Sequence, residues 1–239
     1  MISWQICLNI QYLLICQLGA DVMNSVIYYL LIGVIAYFLG SIPVAYIIAK
    51  AVRSIDVRKA GEGNVGARNV FHTIGPRWGS LVFLLDFAKG AVLAVIVSNE
   101  SPARIAFAGI LLLVGHGFPV WLRFIGGKGL SPVGGFTAAL LPYSALIAIA
   151  ISGLAWLKTR KFMPTTVTVI IFTIALAPIF EYQLEKMLIP IGLFILVGLK
   201  RKIDEPRTRV IEGSNDWPEL SGDCLLYTSD AADEGLGVD

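Results

Sequence analysis

Long apolar runs alternate with short polar segments along this chain, and the apolar runs are of bilayer length. Residues 25–49 carry no charged side chain, more than the ~20 residues that span a membrane, and Gly40-Ser41-Ile42-Pro43 interrupts them near one end. Further runs follow at 79–97, with Asp86 and Lys89 inside it, then at 105–122, 130–157, 163–180 and 187–199. The run at 130–157 is interrupted by Pro132, Gly134, Gly135 and Pro142. Basic residues concentrate in the loops at 50–78, 123–128 and 158–161 and in Lys200-Arg201-Lys202, whereas 98–104 and 181–186 are short and mixed. Short basic loops mark the cytoplasmic side. A single crossing by 130–157 would put two basic segments outside. Two crossings, broken at Pro142, bring all of them inside. The pattern therefore predicts an all-α, polytopic integral membrane bundle of about seven transmembrane helices. The amino end of the first span is expected outside, and two glycine-rich loops are expected on the cytoplasmic face.

Both ends of the chain depart from this pattern. Residues 1–22 are moderately apolar but broken by Gln5, Asn9, Gln11 and Gln17, with no basic n-region, and Met23 precedes a cleaner span. They are expected to be an upstream extension. Residues 213–239 are acidic, without lysine, arginine or apolar periodicity, and are expected to be a disordered or non-native tail. That leaves 23–212 as the membrane domain. Composition agrees: the chain is 56% hydrophobic and 15% charged, against roughly 25% charged in soluble domains. Cys7, Cys16 and Cys224 have no metal-ligand spacing, and His72 and His116 are the only histidines, so neither a disulfide framework nor a metal centre is expected. No cofactor and no nucleic-acid partner are expected.

One polar stretch stands out between the first two spans: Gly61-Glu62-Gly63-Asn64-Val65-Gly66-Ala67-Arg68-Asn69-Val70-Phe71-His72. Glycines let backbone N–H groups converge into an anion-binding nest. Arg68 and His72, four residues apart, would face one anion from a helix leaving the loop. The alternative is an ordinary glycine-rich turn. Gly61, Gly63 and Gly66 also satisfy G-x-G-x-x-G, but that fingerprint needs a preceding strand, and here a membrane-length segment precedes it. A second loop, Arg123-Phe124-Ile125-Gly126-Gly127-Lys128-Gly129, lacks the first glycine of a nucleotide P-loop, since position 122 is leucine.

Several motifs in one order carry a family resemblance. These are Gly40-Ser41-Ile42-Pro43, Ile55-Asp56-Val57-Arg58, Gly63-Asn64-Val65-Gly66-Ala67 with Asn69-Val70, Asp86 with Lys89-Gly90, Gly115-His116, Phe118-Pro119, and Gly126-Gly127-Lys128-Gly129. Together they resemble the bacterial membrane-integral glycerol-3-phosphate acyltransferases that use acyl phosphate as donor. The resemblance covers residues 26–140 strongly and the last two spans by hydropathy alone. Relative to that family, Glu62 replaces a serine, Arg68 a threonine, His72 an arginine and Gly117 an asparagine. Leu130-Ser131-Pro132 stands for valine-alanine-threonine, and the basic-asparagine motif after the last span is not evident.

The resemblance implies a multi-pass protein of the bacterial inner membrane. It would transfer an acyl group from acyl phosphate to the 1-position of glycerol 3-phosphate, giving lysophosphatidic acid and phosphate for phospholipid synthesis. Two phosphates must approach, and at ~5 Å with an effective dielectric of ~20 their repulsion is on the order of 13 kcal/mol. Cations and backbone N–H groups must therefore converge. The phosphate-binding set expected is Arg58, Gly61, Gly63, Asn64, Gly66, Arg68, Asn69, His72, Gly126, Gly127 and Gly129. His116, Ser41 and Lys128 are expected to be catalytic. His116 has two readings, a general base for the glycerol hydroxyl or a ring that holds the loop. Ser41 likewise either donates a hydrogen bond to substrate or bonds its own helix backbone. Asp86 and Lys89 are read as a supporting ion pair. Arg53, Arg77 and Arg123 are read as headgroup anchors. Membrane lipids, acyl phosphate and glycerol 3-phosphate are the expected partners. The competing function is a non-catalytic relative that binds or transports a phosphorylated metabolite.

Overall fold

A computed structural model describes residues 2–159, 162–181 and 184–214. Among these residues the chain is all helical: α1 (Ile2–Ser41), α2 (Val44–Arg53), α3 (Ala67–Thr73), α4 (Pro76–Val97), α5 (Pro102–Gly117), α6 (Leu130–Leu140), α7 (Pro142–Thr159), α8 (Phe162–Phe180) and α9 (Leu184–Ser214). The breaks fall where the chemistry requires them. Pro43 ends the first span, since its ring supplies no N–H and clashes with a continuing helix. Pro76, Pro102 and Pro142 each open a helix, where the missing N–H costs nothing. The run at 130–157 is divided at Pro142, as its sequence implies. Residues 2–22 continue α1 upstream, whereas 215–239 lie outside the described residues, as do Arg160 and Lys161.

Val22–Arg53, Pro76–Val97 and Pro102–Leu122 are long and apolar enough to cross a bilayer; Leu130–Leu140, Pro142–Leu154 and Thr165–Phe180 are shorter apolar helices. Large apolar side chains such as Leu30, Val95, Leu146, Leu154, Ile179, Leu188 and Ile195 face outward. That surface would be costly in water and is matched in lipid. The core lies where α1, α4, α5, α6 and α9 meet, around Leu93, Ile105, Leu112, Phe136 and Leu193. Helices approach closely through glycine: a Cβ at Gly90 would strike the Pro132 carbonyl, and one at Gly135 the Phe87 carbonyl, so α4 and α6 touch backbone to backbone.

The connectors gather at two ends. At one end, Glu181 Oε1 accepts from the backbone N–H groups of Tyr143 and Ser144 (3.0 and 3.3 Å), capping α7, and Lys186 donates to the Ser98 carbonyl. At the other end lie both glycine-rich loops and α3. The second loop dips inward, with Gly129 against Leu113, one turn inside α5; α6 therefore starts deep and spans only 11 residues. One element exceeds its sequence expectation. The last apolar run, expected to end at residue 199, continues as α9 through a charged stretch to Ser214.

Candidate active site

The first glycine-rich loop is held by two side chains that the sequence had suggested for phosphate. Arg58 pairs with Asp56, through Nε to Oδ1 at 2.9 Å and Nη2 to Oδ2 at 2.7 Å. Its remaining Nη1 donates to the Leu122 carbonyl at 3.3 Å, and the guanidinium lies 5.2 Å from the Tyr46 ring centre. The hydrogen bonds from Arg58 hold the Asp56 carboxyl below the usual carboxylate range, and Asp56 in turn raises Arg58. Asn69 is fully buried. Its Nδ2 reaches the carbonyls of Val57, Ala60 and Asn64 (2.9, 3.0 and 2.9 Å), and its Oδ1 accepts from Glu62 N–H at 3.1 Å. Both side chains brace the loop: the Asn69 amide through three carbonyls and one N–H, and Arg58 through three of its five N–H groups.

Above this frame a partly open cavity of about 640 Å³ lies, with its charged groups clustered and the rest of its lining mostly apolar. Its polar end carries Glu62, Asn64, Gly66, Arg68, Asp86, His116, Lys128, Gly129, Ser131 and Arg201. The remaining walls come from α4 (Phe83, Leu84, Phe87), α6, α7 (Ile149), α8 (Val167, Ile170, Ile171) and α9 (Phe194, Val197), with Thr137, Thr165, Thr166 and Thr173 among them. Glu62 answers the charge conflict anticipated from sequence: its carboxylate pairs with Arg68 Nε at 3.0 Å and Lys128 Nζ at 3.5 Å, joining the two loops. The side-chain oxygen of Asn64 is buried without a hydrogen-bond partner among the described residues.

His116 is held from behind. Lys89 Nζ lies 3.0 Å from its Nδ1 and 2.9 Å from Asp86 Oδ1, and donates to the carbonyls of Gly40 and Ile42 at the helix break. With Lys89 as an ammonium, which only donates, Nδ1 accepts and the ring proton sits on Nε2. Gly126 and Gly127 run against this histidine: the Gly127 N–H donates to the His116 carbonyl at 3.0 Å, and a Cβ at either glycine would collide with His116.

Of the residues expected from sequence, the structure brings Asn64, Gly66, Arg68, His116, Lys128 and Gly129 into the cavity wall. Ser41 is not there; its hydroxyl donates to the Gly115 carbonyl at 3.3 Å and ties α1 to α5. Gly61 and Gly63 turn the loop at φ 58° and 63°, behind the wall. His72 also lies off the wall. Burial, and then Arg68, lowers its pKa below the ordinary histidine value, with Glu62 acting in the opposite sense.

The residues missed from sequence lie on the extension of α9. Arg201 enters the cavity wall, with no carboxylate partner among the described residues. Lys200 pairs with Asp204, both buried, and its ammonium sits 4.6 Å from the Phe118 ring centre. The Lys200 stem also lies where a side chain at Gly117 would go. Burial lowers the Lys200 pKa. Arg207 Nη1 donates to the Gly63 carbonyl at 3.0 Å, and Ile211 packs on Gly63. Lys200, Asp204, Arg207 and Ile211 recur at helical spacing, which is the signal that could have revealed this face. Among the described residues there is no cluster of three metal-ligating side chains.

Fold and site together define a helical membrane protein whose cavity fits a ligand with an anionic head and an apolar chain. The family model "Glycerol-3-phosphate acyltransferase" matches residues 30–208. Among curated relatives, glycerol-3-phosphate acyltransferase 5 of Dehalococcoides mccartyi is 36% identical over 57% of this chain and 59% of its own length. The glycerol-3-phosphate acyltransferase of Endomicrobium trichonymphae is 33% identical over 74% of this chain and 93% of its own. The crystal structure of PlsY (YgiH), an integral membrane glycerol 3-phosphate acyltransferase, in its glycerol 3-phosphate form superposes with a TM-score of 0.64 at 30% identity, covering 77% of this chain and 93% of that one. The chain belongs to the glycerol-3-phosphate acyltransferase family, as its motifs had implied.

Proposed function

We propose that this protein transfers an acyl group from acyl phosphate to the 1-hydroxyl of glycerol 3-phosphate, releasing phosphate and lysophosphatidic acid. The observation that carries this reading is the one-ended polarity of the cavity, with Arg68, Lys128 and Arg201 at the head of an apolar channel. A solved relative in its lysophosphatidic acid form superposes with a TM-score of 0.61, which supports an acylated phosphate as the ligand type.

In the reaction the glycerol oxygen attacks the acyl carbon, the bond from that carbon to the phosphate oxygen breaks, and phosphate leaves with the electron pair. The hydroxyl proton passes to a phosphate oxygen, because His116 Nδ1 is already hydrogen bonded to Lys89. The donor is an activated anhydride, so no protein nucleophile is required; positioning and charge compensation suffice. Arg68, Lys128 and Arg201 offset the repulsion between the two phosphates, with N–H groups of the loops around Gly66 and Gly129 as further donors. His116 presents its Nε2–H at the cavity wall.

The basic loops at 50–78 and 123–128 and the basic residues 200–202 share one end of the bundle, which supports seven crossings in a bacterial inner membrane with both glycine-rich loops cytoplasmic. Residues 23–212 are the functional unit in this reading. The test is direct: purified protein with palmitoyl phosphate and glycerol 3-phosphate should yield lysophosphatidic acid and one equivalent of phosphate. Absence of product, or product from a thioester donor alone, would overturn the donor assignment. Cysteine labelling should reach positions 68 and 128 from one side and 99 and 181 from the other; labelling of all four from one side would refute the topology.

A further inference from the structure

Glu62 occupies the place where an incoming anion would be expected. Its residue exposure is 5%, yet it lines the polar end of the cavity and its two oxygens pair with Arg68 and Lys128. These cations come from the two different glycine-rich segments, and the Glu62 carboxylate bridges them. The backbone cannot carry it away: its N–H is held by Asn69, and it is flanked by Gly61 and Gly63 in left-handed turns. Side-chain rotation is the movement left to it. Arg68, with half of its side chain exposed, has room to follow a different anion. The other cavity carboxylate, Asp86, pairs with Lys89. Of the three cavity cations, two are therefore already compensated by one negative charge, and Arg201 is not.

We infer that Glu62 is a specificity-determining residue, a resident anion that closes the cation pair to singly charged anions, which gain nothing by displacing it, and leaves it open to phosphate monoesters. This inference rests on the phosphate-binding reading above and deepens it. Exchange of one carboxylate for another monoanion gains no Coulomb energy, because the two cations see the same charge before and after. A phosphate monoester approaches a double charge near neutrality, and gains by the exchange. The distinction matters in this location. The cavity opens among lipids, whose phosphodiester headgroups carry one negative charge on phosphate, and fatty carboxylates carry one as well. A bare pair of cations at the head of an apolar channel would attract both. Glu62 holds the pair closed to them, while Arg201 supplies the first contact for a dianion able to displace the carboxylate.

Binding to the full-length, detergent-solubilised protein tests this without any acyl donor. The probes are glycerol 3-phosphate and dihexanoyl phosphatidylglycerol, titrated calorimetrically into the parent, Glu62→Gln and Glu62→Ser. The parent should prefer glycerol 3-phosphate. Both variants should bind each probe more tightly by a similar factor, on the order of tenfold, the scale of one charge-assisted bond, so that phosphatidylglycerol, which gives the parent little or no signal, binds measurably. Arg201→Ala should weaken glycerol 3-phosphate in parent and variants alike. Thermal unfolding and gel filtration report on folding, and two variants of different size separate loss of charge from loss of shape. Unchanged affinity for phosphatidylglycerol in both folded variants, or weaker binding of glycerol 3-phosphate in both, would overturn the inference. The two readings fail separately: lysophosphatidic acid synthesis with unchanged phosphatidylglycerol affinity in both variants removes the role of Glu62 and keeps the reaction. Phosphatidylglycerol binding gained in both variants of a protein that makes no lysophosphatidic acid keeps the role and removes the reaction.

Discussion

At the scale of single residues, the cations of this site differ in what already holds them. Arg58 is held by Asp56 and a carbonyl through three of its five N–H groups, whereas Arg68 is half exposed and paired with Glu62. Arg68→Ala should therefore raise KM for glycerol 3-phosphate roughly tenfold, the equivalent of a charge-assisted bond of ~1.5–3 kcal/mol. Steady-state kinetics with the donor held constant checks this, and an unchanged KM would make Arg68 a headgroup anchor. His72 gives a contrasting expectation. Its pKa is lowered by burial and by Arg68, so the unfolded chain takes up a proton at higher pH than the folded one. The stability this contributes is present above the unfolded value of about 6.5 and is lost as pH falls from there through the folded value. Thermal unfolding followed from pH 7.5 to 5 should show a decline that His72→Gln lessens, while KM for glycerol 3-phosphate at pH 7.5 stays near the parent value. The expectation from sequence was that His72 shares the phosphate with Arg68; the structure sets its ring off the cavity wall.

At the scale of elements, the first glycine-rich loop behaves as a folded unit. It has no regular secondary structure to satisfy its backbone, so Asn69 on α3 does this with one side chain. Asn69→Ala would leave the carbonyls of Val57, Ala60 and Asn64 without that donor. Buried polar groups left unsatisfied cost about 1–3 kcal/mol each, and water recovers part of that here, so a loss of at least about 2 kcal/mol is expected. Lowered thermal stability with activity lost at correspondingly lower temperature would show it; a variant as stable as the parent would mean that the loop is held by α9 instead. The legibility of this element was partial. Its glycines and its helix leaving at Ala67 were readable, but which of its polar residues face inward was not. Asn64 and Asn69 are the same residue type five positions apart, and only the fold of the loop turns one toward the cavity and the other toward backbone.

At the scale of the whole molecule, the site is closed from the far end of the chain. The α9 extension carries Arg201 into the cavity and sets Arg207 and Ile211 on Gly63. Truncation after Ser214 is expected to leave expression and turnover unchanged, in keeping with a functional unit that ends near residue 212. Truncation after Ile203 removes Asp204, Arg207 and Ile211. It should free the first loop and lower kcat/KM by at least about tenfold, the scale of one lost charge-assisted contact. Equal activity of the two truncations, measured at equal amounts of folded protein, would show that the extension is not a brace.

The sequence by itself determined that this is a helical membrane protein and where its helices break. Those features follow from local physics: bilayer-length apolar runs, and prolines that end or open helices. The resemblance carried by Gly63-Asn64-Val65-Gly66-Ala67 and its companion motifs supplied the family. Only tertiary structure decided how each polar side chain is used. Arg58 and Arg68, ten residues apart, differ because one has Asp56 within reach and the other reaches Glu62 at the cavity. Ser41 and Asn69 turned to backbone, since buried polar atoms take the nearest partner available, and those partners lie up to 74 positions away in sequence. Arg201 entered the site for the same reason in reverse. A helix that continues past the membrane returns its charged face to the loops, and no local pattern near residue 62 records the arrival of residue 201.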